Sequence, residues 1–172
     1  MPNQLPDMSE VLKEMSEVLL RNPCKSPTPE AAVVALFFAN VAWNECVGLG
    51  HDREDYRNVW EELEADSPAL WNEFKSKDID AIIDVLIQYK LEHFAEDERR
   101  ILACGIPDGK IRVGWLKPAA AGVDSRWEMR LYGLVRSGAR QKAIAFLQKT
   151  RNISQPEAGR LVAKIATELG CG

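Results

Sequence analysis

Apolar positions recur at spacings of three and four through most of this chain, and one stretch departs from that rhythm by being apolar almost throughout. From Ala31 to Trp43 only Asn40 is polar, so a helix over residues 30–48 has nearly its whole circumference to bury. Its neighbours read as ordinary amphipathic helices. Met8, Val11, Leu12, Met15, Val18 and Leu19 form a stripe that ends before Asn22-Pro23, and Asp7 with Glu10 three residues on fits a capping box at its start. Residues 22–30, NPCKSPTPE, form an extended connection that delivers Thr28 as N-cap and Pro29 as the first helical residue of the apolar helix. Gly48 and Gly50 end it.

Further on, Tyr56, Val59, Trp60 and Leu63 share one face of a helix within 52–66, and Ser67-Pro68 opens a short helix with Leu70, Trp71 and Phe74 inward. Ile79, Ile82, Ile83, Leu86, Ile87 and Leu91 mark a helix from 76 to about 94. Five helices by residue 95 predict a mainly α fold, a bundle around the buried central helix 30–48. Val34, Phe37, Phe38 and Val41 should then all be buried, and an exposed Phe would mark a homodimer interface.

The rhythm changes after residue 98. Two short apolar runs flank the turn signal Pro107-Asp108-Gly109, and residues 110–115 alternate with period two, which predicts a small β-hairpin near 100–115. A helix end at Cys104 followed by a loop is the alternative. Residues 117–124, KPAAAGVD, read as a linker. Three more helices follow: one with Trp127, Leu131, Leu134 and Val135 apolar, one with Ala143, Ile144, Phe146 and Leu147 inward, and a last one with Ala158, Leu161, Val162, Ile165 and Leu169. Gly138 separates the first two, and Ser154 with Glu157 caps the third. The expected organisation is an acidic helical domain over 1–118, a linker over 119–125 and a basic helical tail over 126–172.

Charge sharpens that division. Residues 126–172 carry nine Lys or Arg against three acids, a surplus of six positive charges, whereas residues 1–125 carry a surplus of ten negative ones. A basic tail calls for an acidic partner, which the chain's own N-terminal half, another protein or a nucleic acid could supply. The apolar stretch is too short to cross a bilayer, which takes about 20 residues. Four scattered cysteines without a CxxC pair, and no secretory signal, point to a reducing, cytoplasmic location rather than a disulfide framework.

Several clusters invite a chemical reading. Glu61 and Glu64, with Glu62 between them, and the i, i+4 pair Asp80 and Asp84 could gather carboxylates around Mg²⁺, an oxygen-seeking cation. Cys46, His51, His93 and Cys104 are the residue types of a zinc site, at spacings unlike any compact motif, and a Cys–His nucleophile has no orienting third residue in the pattern. In the tail, Arg140, Lys142, Arg160 and Lys164 are the candidate contacts to phosphate or to an acidic partner. Asn40 and Asn44 beside Trp43 place amides where only hydrogen-bonded ones are tolerated; they suit a small pocket or, more simply, a buried network that pins the Pro-rich connection. No cofactor motif is present, and none is expected.

Two resemblances bear on these clusters. Lys142-Ala143-Ile144, the turn Arg151-Asn152-Ile153-Ser154, and Glu157-Ala158 with Val162 stand at positions that resemble the helix pair of the C-terminal domain of ribosomal protein L7/L12, over about residues 138–162. That resemblance implies a helix-turn-helix shape in the tail and a protein-interaction role, of the sort small modules of this kind fill when appended to other bacterial proteins. Gln155-Pro156 and Gly159 depart from the family, which has Leu-Lys and a second Lys there. The acidic cluster is loosely similar to all-α nucleotide pyrophosphohydrolases of the MazG type, which carry E-E-x-x-E and then E-x-x-D. Here Glu61-Glu62-Leu63-Glu64 is one residue short, and the Asp80 to Asp84 spacing differs. The expected function is therefore a non-enzymatic, cytoplasmic protein-interaction protein. A Mg-dependent pyrophosphohydrolase and a nucleic-acid binder acting through the tail are the alternatives.

Overall fold

The computed structural model describes residues 4–49, 52–118 and 125–171, with only the backbone of residues 125 and 126. It divides into two compact units, Met1–Pro118 and Ala119–Gly172. Of the expected linker 119–125, all but residue 125 lies outside the described residues. The chain is mainly helical, and its sheet is the small antiparallel hairpin the sequence predicts. Among the described residues no helix is long and apolar enough to cross a membrane.

Helix starts in the first unit follow side chains that satisfy otherwise unpaired amides. Helix α1 (Met8–Glu17) begins where Asp7 accepts the Ser9 N–H at 2.8 Å. In α2 (Pro29–Cys46), Thr28 accepts the Ala31 N–H at 3.2 Å and Pro29 opens the first turn, as expected. Asp52 and Asp78 cap α3 (Arg53–Asp66) and α4 (Ile79–His93). The short helix anticipated after Ser67 is a 3-10 turn, Pro68–Glu73, and it still sends Leu70, Trp71 and Phe74 inward.

The hairpin joins β1 (Arg100–Gly105) to β2 (Arg112–Leu116), with Leu102 the extra residue of a bulge between Ile101 and Ala103. At its tip Asp108 and Gly109 both adopt left-handed φ, 55° and 74°, and the Lys110 N–H closes on the Pro107 carbonyl at 3.1 Å. An Asp-Gly pair takes up that geometry at little cost, which is why the turn was legible.

Helix α2 packs against α1, α4, the 3-10 turn and β1. Its buried alanines, Ala31, Ala35, Ala39 and Ala42, line the side where these neighbours approach. The expectation of burial on all sides fails, however. Phe38 and Val41 are buried and Val34 is partly so, but Phe37 is 39% exposed and Val33 53%. The partners of α2 do not close around it, and α3 takes Phe38 onto the edge of Trp60 while leaving Phe37 against Tyr56 near the surface.

A second difference lies on α4. Leu91, expected inward, is 52% exposed, whereas Lys90 is buried. With 3.6 residues per turn the inward line through Ile79, Ile82, Ile83 and Leu86 continues to position 90 rather than 91.

The second unit is three helices, each packed on the other two: α5 (Ser125–Arg136), α6 (Arg140–Arg151) and α7 (Gln155–Glu168). Gly138, at φ 77°, ends α5 in a Schellman arrangement, with Ala139 N–H on the Leu134 carbonyl and Gly138 N–H on that of Val135. Asn152 takes the same left-handed role after α6, and Ser154 and Glu157 cap each other's amides at the start of α7. The core is Leu131, Val135, Ala143, Ile144, Leu147, Ala158, Val162 and Ile165. Leu161, one of the apolar positions of α7, is 44% exposed.

Candidate functional site

The acidic candidates do not come together as a set of metal ligands. Asp80 and Asp84 lie on the α3 side of α4, and two guanidiniums missed by the sequence reading occupy them. Arg53 reaches Glu45 at 2.7 Å, Asp84 at 2.9 Å and Asp80 at 3.3 Å, while Arg57 reaches Asp80 and Glu54 at 2.6 Å each. The Arg57 hydrogen bond, followed by that of Arg53, holds the Asp80 carboxyl below the usual aspartate range, and the Glu45 carboxylate chiefly raises Arg53. Glu61 and Glu64 are exposed and, among the described residues, make no ion pair. Among the described residues no three of His, Cys, Asp and Glu stand close enough together to hold a metal ion.

Of the thiol and imidazole candidates, His51 lies outside the described residues. His93 stacks on Tyr89 at 4.2 Å between ring centroids. Burial pushes both the Cys46 and Cys104 thiols up, away from the thiolate that attacks or ligates. The side chain with unusual surroundings is instead Lys90. Its Nζ donates to the carbonyls of Phe94 at 2.9 Å and Asp97 at 2.8 Å and sits 4.5 Å from the Trp43 ring centre, and burial lowers its pKa from the ordinary lysine value. Next to it, the buried Arg99 and Asp97 form an ion pair at 2.5 Å. These groups tie the segment between α4 and β1 to α2 and are closed to solvent.

Asn40 and Asn44 are half-buried and form a hydrogen-bonded network, and it pins the hairpin, not the Pro-rich connection. Asn44 Nδ2 donates to Asn40 Oδ1 at 3.2 Å and to the Ile101 carbonyl at 2.9 Å, and Asn44 Oδ1 accepts the Ile101 N–H at 3.0 Å. Trp43 Nε1 donates to the Arg99 carbonyl at 2.6 Å. The Pro-rich connection is held by Glu73, which accepts the Thr28 N–H at 2.9 Å.

Among the described residues, an apolar groove open to a ligand lies on the second unit. A groove of about 390 Å³ runs between α5 and α7, floored by Leu131, Leu147 and Ile165 and walled by Trp127, Ile153 and Leu161. Arg151 and Lys164 stand at its rim, as do Glu128 and Glu168, and the Arg151 guanidinium lies 4.5 Å from the Trp127 ring centre. Of the four tail residues singled out from the sequence, only Lys164 lines this groove; Arg140 and Lys142 sit in the first turn of α6 and Arg160 on α7. Among the described residues none of Arg140, Lys142, Lys149, Arg151, Arg160 or Lys164 takes part in an ion pair. The sequence offers Trp127 only as an apolar helix position and Arg151 only as a turn residue, because each looks ordinary where it stands. The chain matches no protein-family model, no curated protein and no solved structure with which it was compared.

Proposed function

We propose that this is a non-enzymatic protein-interaction protein whose basic three-helix unit receives an acidic, apolar-anchored segment of another protein. The observation that carries this reading is the groove between α5 and α7, where Leu161 stays 44% exposed beside Trp127 and the rim cations Arg151 and Lys164 have no ion-pair partner among the described residues. An apolar trough excludes water and supplies affinity. Because Glu128 and Glu168 balance Arg151 and Lys164 at the rim, selection of an acidic partner rests on the surplus of six positive charges over residues 126–172. The apolar walls favour a protein over a nucleic acid, for which stacking and phosphate contacts would suffice without a trough. A Mg-dependent hydrolase needs carboxylates open to the cation, and Asp80 and Asp84 are held by Arg53 and Arg57. The resemblance of residues 138–162, in sequence, to the helix pair of the ribosomal L7/L12 C-terminal domain fits an interaction role.

The test is the binding of a labelled amphipathic peptide of about 18 residues, Leu on one face and Glu on the other, to the full chain at low ionic strength. Leu161→Asp and Lys164→Glu should each weaken it about tenfold without loss of helicity. Equal binding by wild type and both variants sinks the reading. Tight, salt-sensitive binding of RNA or DNA that survives Leu161→Asp would favour the nucleic-acid alternative.

A further inference from the structure

The first unit carries a different unpartnered surface, and its chemistry is the reverse of the groove's. Val33 and Phe37 are one helical turn apart on α2, so their side chains lie in line along one face. Phe37 meets Tyr56 of α3 edge-on at 5.8 Å, and Val59 follows Tyr56 by three residues on α3. Val33, Phe37 and Val59 are 53%, 39% and 48% exposed, a concentration of apolar surface that scattered single residues do not explain.

The charges that α2 and the Val59 side of α3 carry beside this surface are of one sign. Helix α2 holds no Lys or Arg at all, and Glu30 stands one turn before Val33. On α3, Asp55 and Glu62 flank Val59 by a turn on either side. None of these three acids is in an ion pair among the described residues. The two cations of α3, Arg53 and Arg57, are both drawn to Asp80 on α4 and so neutralise the opposite flank of the helix. The tertiary structure therefore sorts α3 into a compensated side against α4 and an uncompensated acidic side beside the exposed valine.

We propose that the Val33–Phe37–Val59 face docks a basic amphipathic helix of a partner protein. The line Val33 to Phe37 suits a helix that presents apolar residues every three or four positions, and flanking Lys or Arg would meet Glu30, Asp55 and Glu62. A second copy presenting the same face would bring like charges together, so the exposed Phe37 points away from the homodimer that the sequence alone suggested.

A labelled peptide of about 18 residues with Leu on one face and Lys on the other is titrated into the full chain at low ionic strength, beside the Leu/Glu peptide with the same Leu positions. The paired change Val33→Ser with Phe37→Ser should weaken the Leu/Lys peptide about tenfold and leave the Leu/Glu peptide unchanged. Reversing Asp55 and Glu62 to Lys, at exposed positions that do not threaten folding, should weaken it by about the same factor. Leu161→Asp should have no effect on it, so failure here and failure of the groove on the second unit are told apart. Leu/Lys affinity unchanged by the charge reversal overturns the proposal. So does a dimer of the chain alone that Phe37→Ser dissolves, because the occupant is then a second copy.

Discussion

The carboxamide of Asn44 is paired with the backbone of Ile101 at both ends, accepting its N–H at 3.0 Å and donating to its carbonyl at 2.9 Å. A helix side chain thus satisfies β1 on the edge that β2 leaves unpaired, where an open strand would expose its own donors and acceptors. Two strands alone are marginal in water, and this amide, with Trp43 on the Arg99 carbonyl, fastens them to the helical core.

Asn44→Ala should therefore cost about 1–3 kcal/mol, the usual penalty for leaving partly buried polar groups unpaired. Chemical denaturation gives the loss. Amide exchange at Ile101 should accelerate more than exchange in α1, which the substitution does not touch.

Lys90 sets an alkaline signature. Its folded pKa is lowered by burial, so between that value and the ordinary 10.5 the unfolded chain binds more protons than the folded one. Stability from this group accordingly rises with pH through that window, and its desolvation penalty is fully present below it. Lys90→Met should flatten the alkaline rise in a plot of unfolding free energy against pH. At neutral pH it should cost about 1–3 kcal/mol, because the Phe94 and Asp97 carbonyls lose their donor.

Asp80 gives the opposite, acidic signature. Its lowered pKa favours the folded state above the ordinary aspartate value, and that contribution is lost as pH falls through the folded pKa. Arg57→Gln removes the strongest cause, so the carboxyl ¹³C titration midpoint of Asp80 should move up toward the ordinary range. A midpoint unmoved by Arg57→Gln would mean that the pair does not persist in solution.

Two glycines sit inside helices of the second unit without a steric reason. A Cβ added at Gly133 or Gly159 meets nothing within 4 Å, and neither has positive φ. Gly133→Ala and Gly159→Ala should each stabilise the chain by about 0.5–1 kcal/mol by removing unfolded-state freedom. Gly138→Ala, at φ 77°, should destabilise it by about 1–2 kcal/mol. Thermal unfolding of the three variants orders them.

Local chemistry in the sequence determined much of the secondary structure. Thr28-Pro29, Ser154 with Glu157, Gly138 and Asp108-Gly109 each act through their own backbone or that of near neighbours, so helix starts, helix ends and the hairpin turn could be read without knowing the fold. The inward stripes of α1 and α4 were legible because they repeat with the helical period. What the tertiary structure decided is which apolar residues find a cover and which charges find a partner. Phe37 and Phe38 are adjacent in an apolar run, yet only Phe38 is buried, because α3 lies on one side of α2. Asp80 and Asp84 look like ligands along α4, yet Arg53 and Arg57 from α3 neutralise them across more than twenty residues of chain. Burial and ion pairing depend on what arrives from elsewhere in the chain, and the spacing of residues along one helix carries no record of that.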